Sequence, residues 1–215
     1  MSAQKDNSEP RRPGRPRGGK RVTASREQLL DIALNLFSRQ GIANTSLNAI
    51  AKEAGVTPAM LHYYFNSREQ LLDAMIEERF LPLRNKIGTI FADNPDSPFN
   101  ALTEMVSVLA ELAQEYSWFA PLWMQEVIGE MPVLRTHLKA RFGDEKYQAT
   151  LATIKGWQQD GKLNKELAPE LLFTTLLSLV LVPFSRMRND ERLQALSPDI
   201  IVRHALAVIG QGIGG

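Results

Sequence analysis

The chain has 215 residues, 44% hydrophobic and 23% charged, with no cysteine and a formal net charge of +1. These are the proportions of an ordinary globular protein, and the missing cysteine excludes disulfides, thiolate metal sites, iron–sulfur clusters and thiol nucleophiles. The small net charge conceals a division: residues 1–21 hold seven basic side chains against two acidic ones, so this stretch is +5 and the remainder sums to −4.

The basic stretch comes first, with Arg11, Arg12, Arg15, Arg17, Lys20 and Arg21 set among Pro10, Pro13, Pro16 and several glycines. It has too little apolar surface to fold alone, which predicts a disordered arm over residues 1–22. No apolar signal segment follows the basic residues, so a cytoplasmic location is expected. A basic arm ahead of a mildly acidic body makes a polyanion the first partner to consider.

Beyond Val22 the periodicity is helical and no strand pattern occurs, so an all-α fold is expected. Ser25 and Gln28 form a capping box ahead of a stripe of Leu29, Ala33, Leu36 and Phe37, and Gly41 marks a stop. Thr45 or Ser46 caps a short second helix that Gly55 ends. Thr57, followed by Pro58, caps a third, and Ser67 with Gln70 caps a long fourth helix to about Phe91. Ala51, Gly55 and Leu61 supply the small residue, the turn glycine and the apolar anchor of a helix-turn-helix, with Ile50, Val56 and Phe65 completing the contact.

The segments LLDIALNLFSRQG (29–41) and TSLNAIAKEAGVTPAMLHYYFNSREQLL (45–72) resemble the TetR family of bacterial transcriptional regulators. The order of first helix, helix-turn-helix, aromatic pair and capped fourth helix agrees throughout. The chain departs from the usual pattern in having His62 where Tyr is common and Tyr64 where His is common. The resemblance implies a DNA-binding domain over 23–83, with its helix-turn-helix at 46–65, and a helical effector-binding and dimerisation domain over 84–215. It implies a homodimer on double-stranded DNA, a repressor more than an activator, released by a small apolar or amphipathic effector.

If Leu61 and Phe65 face the core, then Thr57, Pro58, Ala59, His62 and Tyr63 face outward. They offer a hydroxyl, apolar surface for thymine methyls, an imidazole and a phenol. By resemblance, Thr45, Ser46 and Tyr63 contact phosphates, Asn48 reaches a base, and Arg68 pins the DNA backbone. Each is equally the kind of side chain that caps a helix or faces solvent. In the arm, Arg15-Pro16-Arg17 looks like an AT-hook, whose arginines enter an A·T minor groove.

After a loop at 93–98 come aromatic-rich helices bearing Tyr116, Trp118, Phe119, Trp123 and Met124, interrupted by Pro121 and Pro132. One helix is expected from about Arg135 to Asp160, ending at Gly161, then two more from Pro169 to about Arg188 and from Pro198 to about Gly210. The run Leu171 to Phe184 is shorter than the ~20 residues a bilayer needs and contains Thr174, Thr175, Ser178 and Pro183, so no membrane span is expected. Being apolar on nearly all sides, it is expected to bury against another subunit; in the family two such helices pair with their symmetry mates. The aromatic cluster reads either as plain core or as an effector pocket between the long fourth helix and those that follow, lined by some of Met105, Leu109, Trp118, Phe119, Trp123, Met124 and Trp157, with Glu126, Glu130, Arg135 and His137 either as polar contacts or as surface residues.

An enzyme is the competing class. His62, His137 and His204 are scattered, and no zinc-protease, hydrolase, dinucleotide or P-loop motif occurs, so no catalytic residue, metal or cofactor is expected. An architectural DNA-binding protein is the nearer alternative, but its positive charge should spread over the body.

Overall fold

The Ser25 Oγ accepts from the Gln28 amide at 3.2 Å while the Gln28 side-chain oxygen accepts from the Ser25 N–H at 2.9 Å, closing the capping box that starts α1 (Arg26–Gln40). The computed structural model describes residues 24–128, 132–187 and 189–213, and the basic arm with Arg15 and Arg17 lies outside them. Among the described residues all regular structure is helical, as expected.

Gly41 ends α1 with φ 83°, a left-handed conformation that costs glycine nothing. Ser46, not Thr45, caps α2 (Leu47–Glu53), its hydroxyl accepting from the Ala49 N–H at 3.2 Å. Thr57 and Ser67 cap α3 (Pro58–Phe65) and α4 (Arg68–Met75) in the same way. Ile50, Ala51, Leu61 and Phe65 are buried, so the helix-turn-helix closes on the contact its spacing predicts.

The long fourth helix is present but is not one uniform rod. It runs from α4 through a π-helical turn, Ile76–Phe80, into α5 (Leu81–Asp93). Pro82 explains the turn: it has no N–H to donate to the Glu78 carbonyl, and in a regular helix its ring would meet that carbonyl. Just before it the Leu81 N–H bonds five residues back, to the Ile76 carbonyl.

The rest comprises α6 (Pro98–Glu115), α7 (Phe119–Ile128), α8 (Val133–Phe142), α9 (Glu145–Gln159), α10 (Pro169–Arg186), the short α11 (Glu191–Gln194) and α12 (Pro198–Ile213). The single helix expected over 135–160 is two, because Gly143 takes φ 63° between α8 and α9. Helix α6 is central: Leu102, Met105, Val106 and Leu109 are fully buried, and α5, α7, α10 and α12 pack around it. Trp157 of α9 is 2% exposed, stacks on Phe91 at 5.7 Å between ring centroids, and donates its indole N–H to the Pro95 carbonyl at 2.5 Å.

The two halves are joined beyond the long helix. Gln125 of α7 donates to the Ser38 carbonyl at 2.8 Å, and Ser117 donates to the Asn35 side-chain oxygen at 3.2 Å. From the π-turn, Glu78 receives a two-pronged bond from Arg26 and Arg79 reaches Asp31 at 3.0 Å, so both grip α1. The Arg26 hydrogen bond holds the Glu78 carboxyl below the usual carboxylate range.

Because Trp157 is both buried and hydrogen-bonded, Trp157→Ala should destabilise the protein by ~3–5 kcal/mol in chemical denaturation. Trp157→Phe, which keeps the stacking and loses the hydrogen bond, should cost clearly less.

Candidate nucleic-acid interface and ligand cavity

With Leu61 and Phe65 turned inward, α3 leaves Thr57, Pro58, Ala59, His62 and Tyr63 exposed, Tyr63 at 80%. Ser46 and Asn48 are exposed at the start of α2. Thr57 Oγ1 accepts from the Met60 N–H at 3.3 Å, so the cap occupies its acceptor side and leaves its O–H free to donate. His62 Nδ1 lies 3.1 Å from the Asn66 carbonyl. A carbonyl only accepts, so Nδ1 carries a hydrogen, and in the neutral form of the ring Nε2 is then the acceptor. Nothing in the sequence marked Asn66 as the group that sets this tautomer.

Two expected phosphate ligands are placed differently. Thr45 is 3% exposed and its hydroxyl donates to the Gly41 carbonyl at 2.7 Å. The Arg68 guanidinium donates to the Ile42 carbonyl, and its Nε is buried without a partner. In this structure both side chains brace the turn between α1 and α2: burial takes the first from the surface, and a chain carbonyl engages the second.

A cavity of about 220 Å³ opens among α5, α6, α7, α8, α9 and α10. Of the seven residues expected to line it, Met105, Phe119 and Trp123 do so. Leu109 is core of α6, Trp118 lies behind the cavity-lining Phe80 at 5.1 Å, Met124 packs on the core, and Trp157 is held against Phe91 and Pro95. The pocket was expected beside the long fourth helix, but the residues of its α5 and α9 walls were not named: Leu83, Arg84, Ile87 and Phe91 face Lys146, Tyr147, Thr150, Leu151 and Ile154. Their i, i+3, i+4 spacing was visible, but periodicity cannot tell which helices leave a gap between them.

Among the expected polar contacts, Glu126 is 5% exposed and accepts from the Arg135 N–H at 3.1 Å at the α7–α8 junction, outside the cavity lining. Burial pushes its carboxyl above the usual range. Arg135 and His137 do not line the cavity, and Glu130 lies outside the described residues. Among the described residues no group of three or more His, Asp or Glu side chains converges as a metal site.

The capped pair α2 and α3 with an exposed second helix defines a helix-turn-helix DNA-binding protein. Residues 29–75 match the profile described as bacterial regulatory proteins, tetR family. The chain is 32% identical over 145 residues to the HTH-type transcriptional regulator RutR of Escherichia coli strain K12, a match covering 66% of each chain. It is 23% identical over 188 residues to the HTH-type transcriptional repressor KstR2 of Rhodococcus jostii strain RHA1, covering 87% of this chain and 90% of that one. The ketosteroid transcriptional regulator KstR2 of Mycobacterium tuberculosis shares the fold, with a TM-score of 0.68 at 18% identity over 93% of this chain and all of that one. The chain belongs to the tetR family of bacterial regulatory proteins. These likenesses do not favour an architectural DNA-binding protein.

Arg68→Ala should lower the thermal midpoint by several degrees, in the range of ~1–3 kcal/mol for a lost charged hydrogen bond, whereas Tyr63→Ala should leave the midpoint unchanged. Calorimetry on both variants checks this. Glu126 has a raised carboxyl pKa in the fold, so its contribution is present below the unfolded pKa and is lost as pH rises through the folded one. Glu126→Gln should therefore raise the midpoint at neutral pH, with the gain vanishing towards acid in a pH series of melts.

Proposed function

We propose that the chain is a ligand-responsive repressor, cytoplasmic and homodimeric, which binds a palindromic operator and leaves it when an apolar or amphipathic molecule fills the cavity. The observation that carries this is the continuous α4, π-turn and α5, which starts beside the exposed face of α3 and ends as a wall of the cavity. On this reading α3 enters the major groove. Thr57 and His62 meet base edges, Pro58 and Ala59 meet thymine methyls, Asn48 reaches a base, and Ser46 and Tyr63 hold phosphates. A neutral His62 offering Nε2 pairs with the exocyclic amine of adenine or cytosine. The arm brings Arg15 and Arg17 to an adjacent minor groove.

The dimer uses α10 and α12. Leu172, Leu176, Leu177 and Val180 face the protein's own core, while Leu171, Ile200 and Val208 are 63%, 38% and 45% exposed. By length and mean hydropathy of 1.3, α10 could also cross a membrane. Its packing against α6, α7, α9 and α12 supports the two-sided burial of a subunit interface instead.

Selection of bound DNA from random sequence should return an inverted repeat with half-site centres about 34 Å apart or slightly more, and sedimentation should give a dimer at micromolar concentration. A consensus without dyad symmetry, or a monomer, overturns the reading. Trp123→Ala should blunt the ligand's effect on DNA affinity, expected at roughly 5- to 150-fold, while leaving affinity without ligand nearly unchanged in mobility-shift titrations.

A further inference from the structure

We infer that the cavity takes an amphipathic anion, with an apolar body against Leu83, Phe91, Met105 and Phe119 and a singly charged acidic head between Arg84 and Lys146. This rests on the reading of the cavity as an effector site and adds the charge of what enters it.

The lining is apolar except for a group where α5 faces α9: Arg84 on α5, and Lys146, Tyr147 and Thr150 on α9. No aspartate or glutamate is among the lining residues. Neighbouring cations on the same helices and on α8 are neutralised locally: Lys86 by Glu111 at 3.2 Å, Lys139 by Asp144 at 3.0 Å, Arg141 by Asp73 at 3.2 Å and Lys155 by Glu170 at 3.2 Å. Arg84 and Lys146 have no carboxylate partner among the described residues. The Arg84 guanidinium sits 5.0 Å from the centroid of the Phe142 ring, and Lys146 Nζ donates to the neutral Asn85 side chain at 3.1 Å.

These two cations belong to the same edge of the cavity. Lys146 lies across α5 at Gly88, where a Cβ would stand 3.7 Å from Nζ, and Arg84 is one helical turn before Gly88 on the same face. Both cationic residues thus line the α5–α9 edge of an otherwise apolar space. A third donor stands in the wall, since the Trp123 indole N–H is buried with no acceptor. Such a donor gains from any ligand that brings a lone pair to it. A cation would meet two like charges, and a neutral apolar ligand would leave the donors unanswered. The cavity, at about 220 Å³, falls below the ~300–1,000 Å³ of drug-sized sites, which favours a ligand of medium length.

The test titrates the full chain with octanoate, 1-octanol and octylammonium, three probes of one tail and different heads, followed by tryptophan fluorescence and checked by calorimetry. Octanoate should bind at least about tenfold more tightly than either of the others, the scale of a charged hydrogen bond. Arg84→Gln with Lys146→Gln should abolish that advantage while leaving 1-octanol binding as in the parent protein. Lys146→Glu, at an exposed position that folding tolerates, should turn the preference towards octylammonium. If 1-octanol or octylammonium binds the parent protein as tightly as octanoate, the anionic head is overturned while the cavity remains an effector site. If none of the three binds at millimolar concentration, the effector reading of the cavity falls, and this inference with it.

Discussion

Pro82 cannot donate a hydrogen bond to the Glu78 carbonyl, and that one missing bond shapes the region between the helix-turn-helix and the cavity. The helix widens into the π-turn Ile76–Phe80 rather than breaking. Widening displaces side chains around the axis, and the structure uses three of them in different directions. Phe80 lines the cavity, while Glu78 and Arg79 take hold of Arg26 and Asp31 on α1. On the proposed reading, a ligand that moves Phe80 would pull on residues only one or two positions away that are tied to the DNA-binding half. Such π-turns are frequent at functional sites.

Most of the local structure was legible because it is written in short-range chemistry. The capping box at Ser25, the stop at Gly41 and the caps at Thr57 and Ser67 each involve groups three or four residues apart. The outward face of α3 followed once Leu61 and Phe65 were assigned inward. What escaped depended on elements meeting across space. Arg68 looks like a surface cation until the Ile42 carbonyl, twenty-six residues away, claims it. Trp157 belongs to a cluster of aromatics by composition, yet the carbonyl it finds at Pro95 makes it core. Two local signals went unused: Pro82 for the π-turn and Gly143 for the split of α8 from α9.

The aromatic residues divide by what stands behind them. Trp118 and Trp157 have protein on every side, 4% and 2% exposed, and serve rigidity. Phe119 and Trp123 line the cavity with their rings 6.4 Å apart, Phe119 almost as enclosed as the first pair and Trp123 half-buried. Composition alone reads all four as one cluster. The distinction matters because packed rings resist displacement, whereas rings bordering a void can repack at little cost.

The break at Gly143 separates two duties that one continuous helix would have shared. Helix α8 carries Arg141, which holds Asp73 of α4 and Glu77 of the π-turn, and α9 carries Lys146, Tyr147 and Thr150 in the cavity lining. A substitution in α9 can alter what is admitted without disturbing the bracket that α8 applies to the long helix. The separation is partial, since Leu138 of α8 and Arg84 of α5 also line the cavity. On the proposed reading, a change of inducer could be concentrated in one short segment while Arg141 keeps its hold on Asp73 and Glu77.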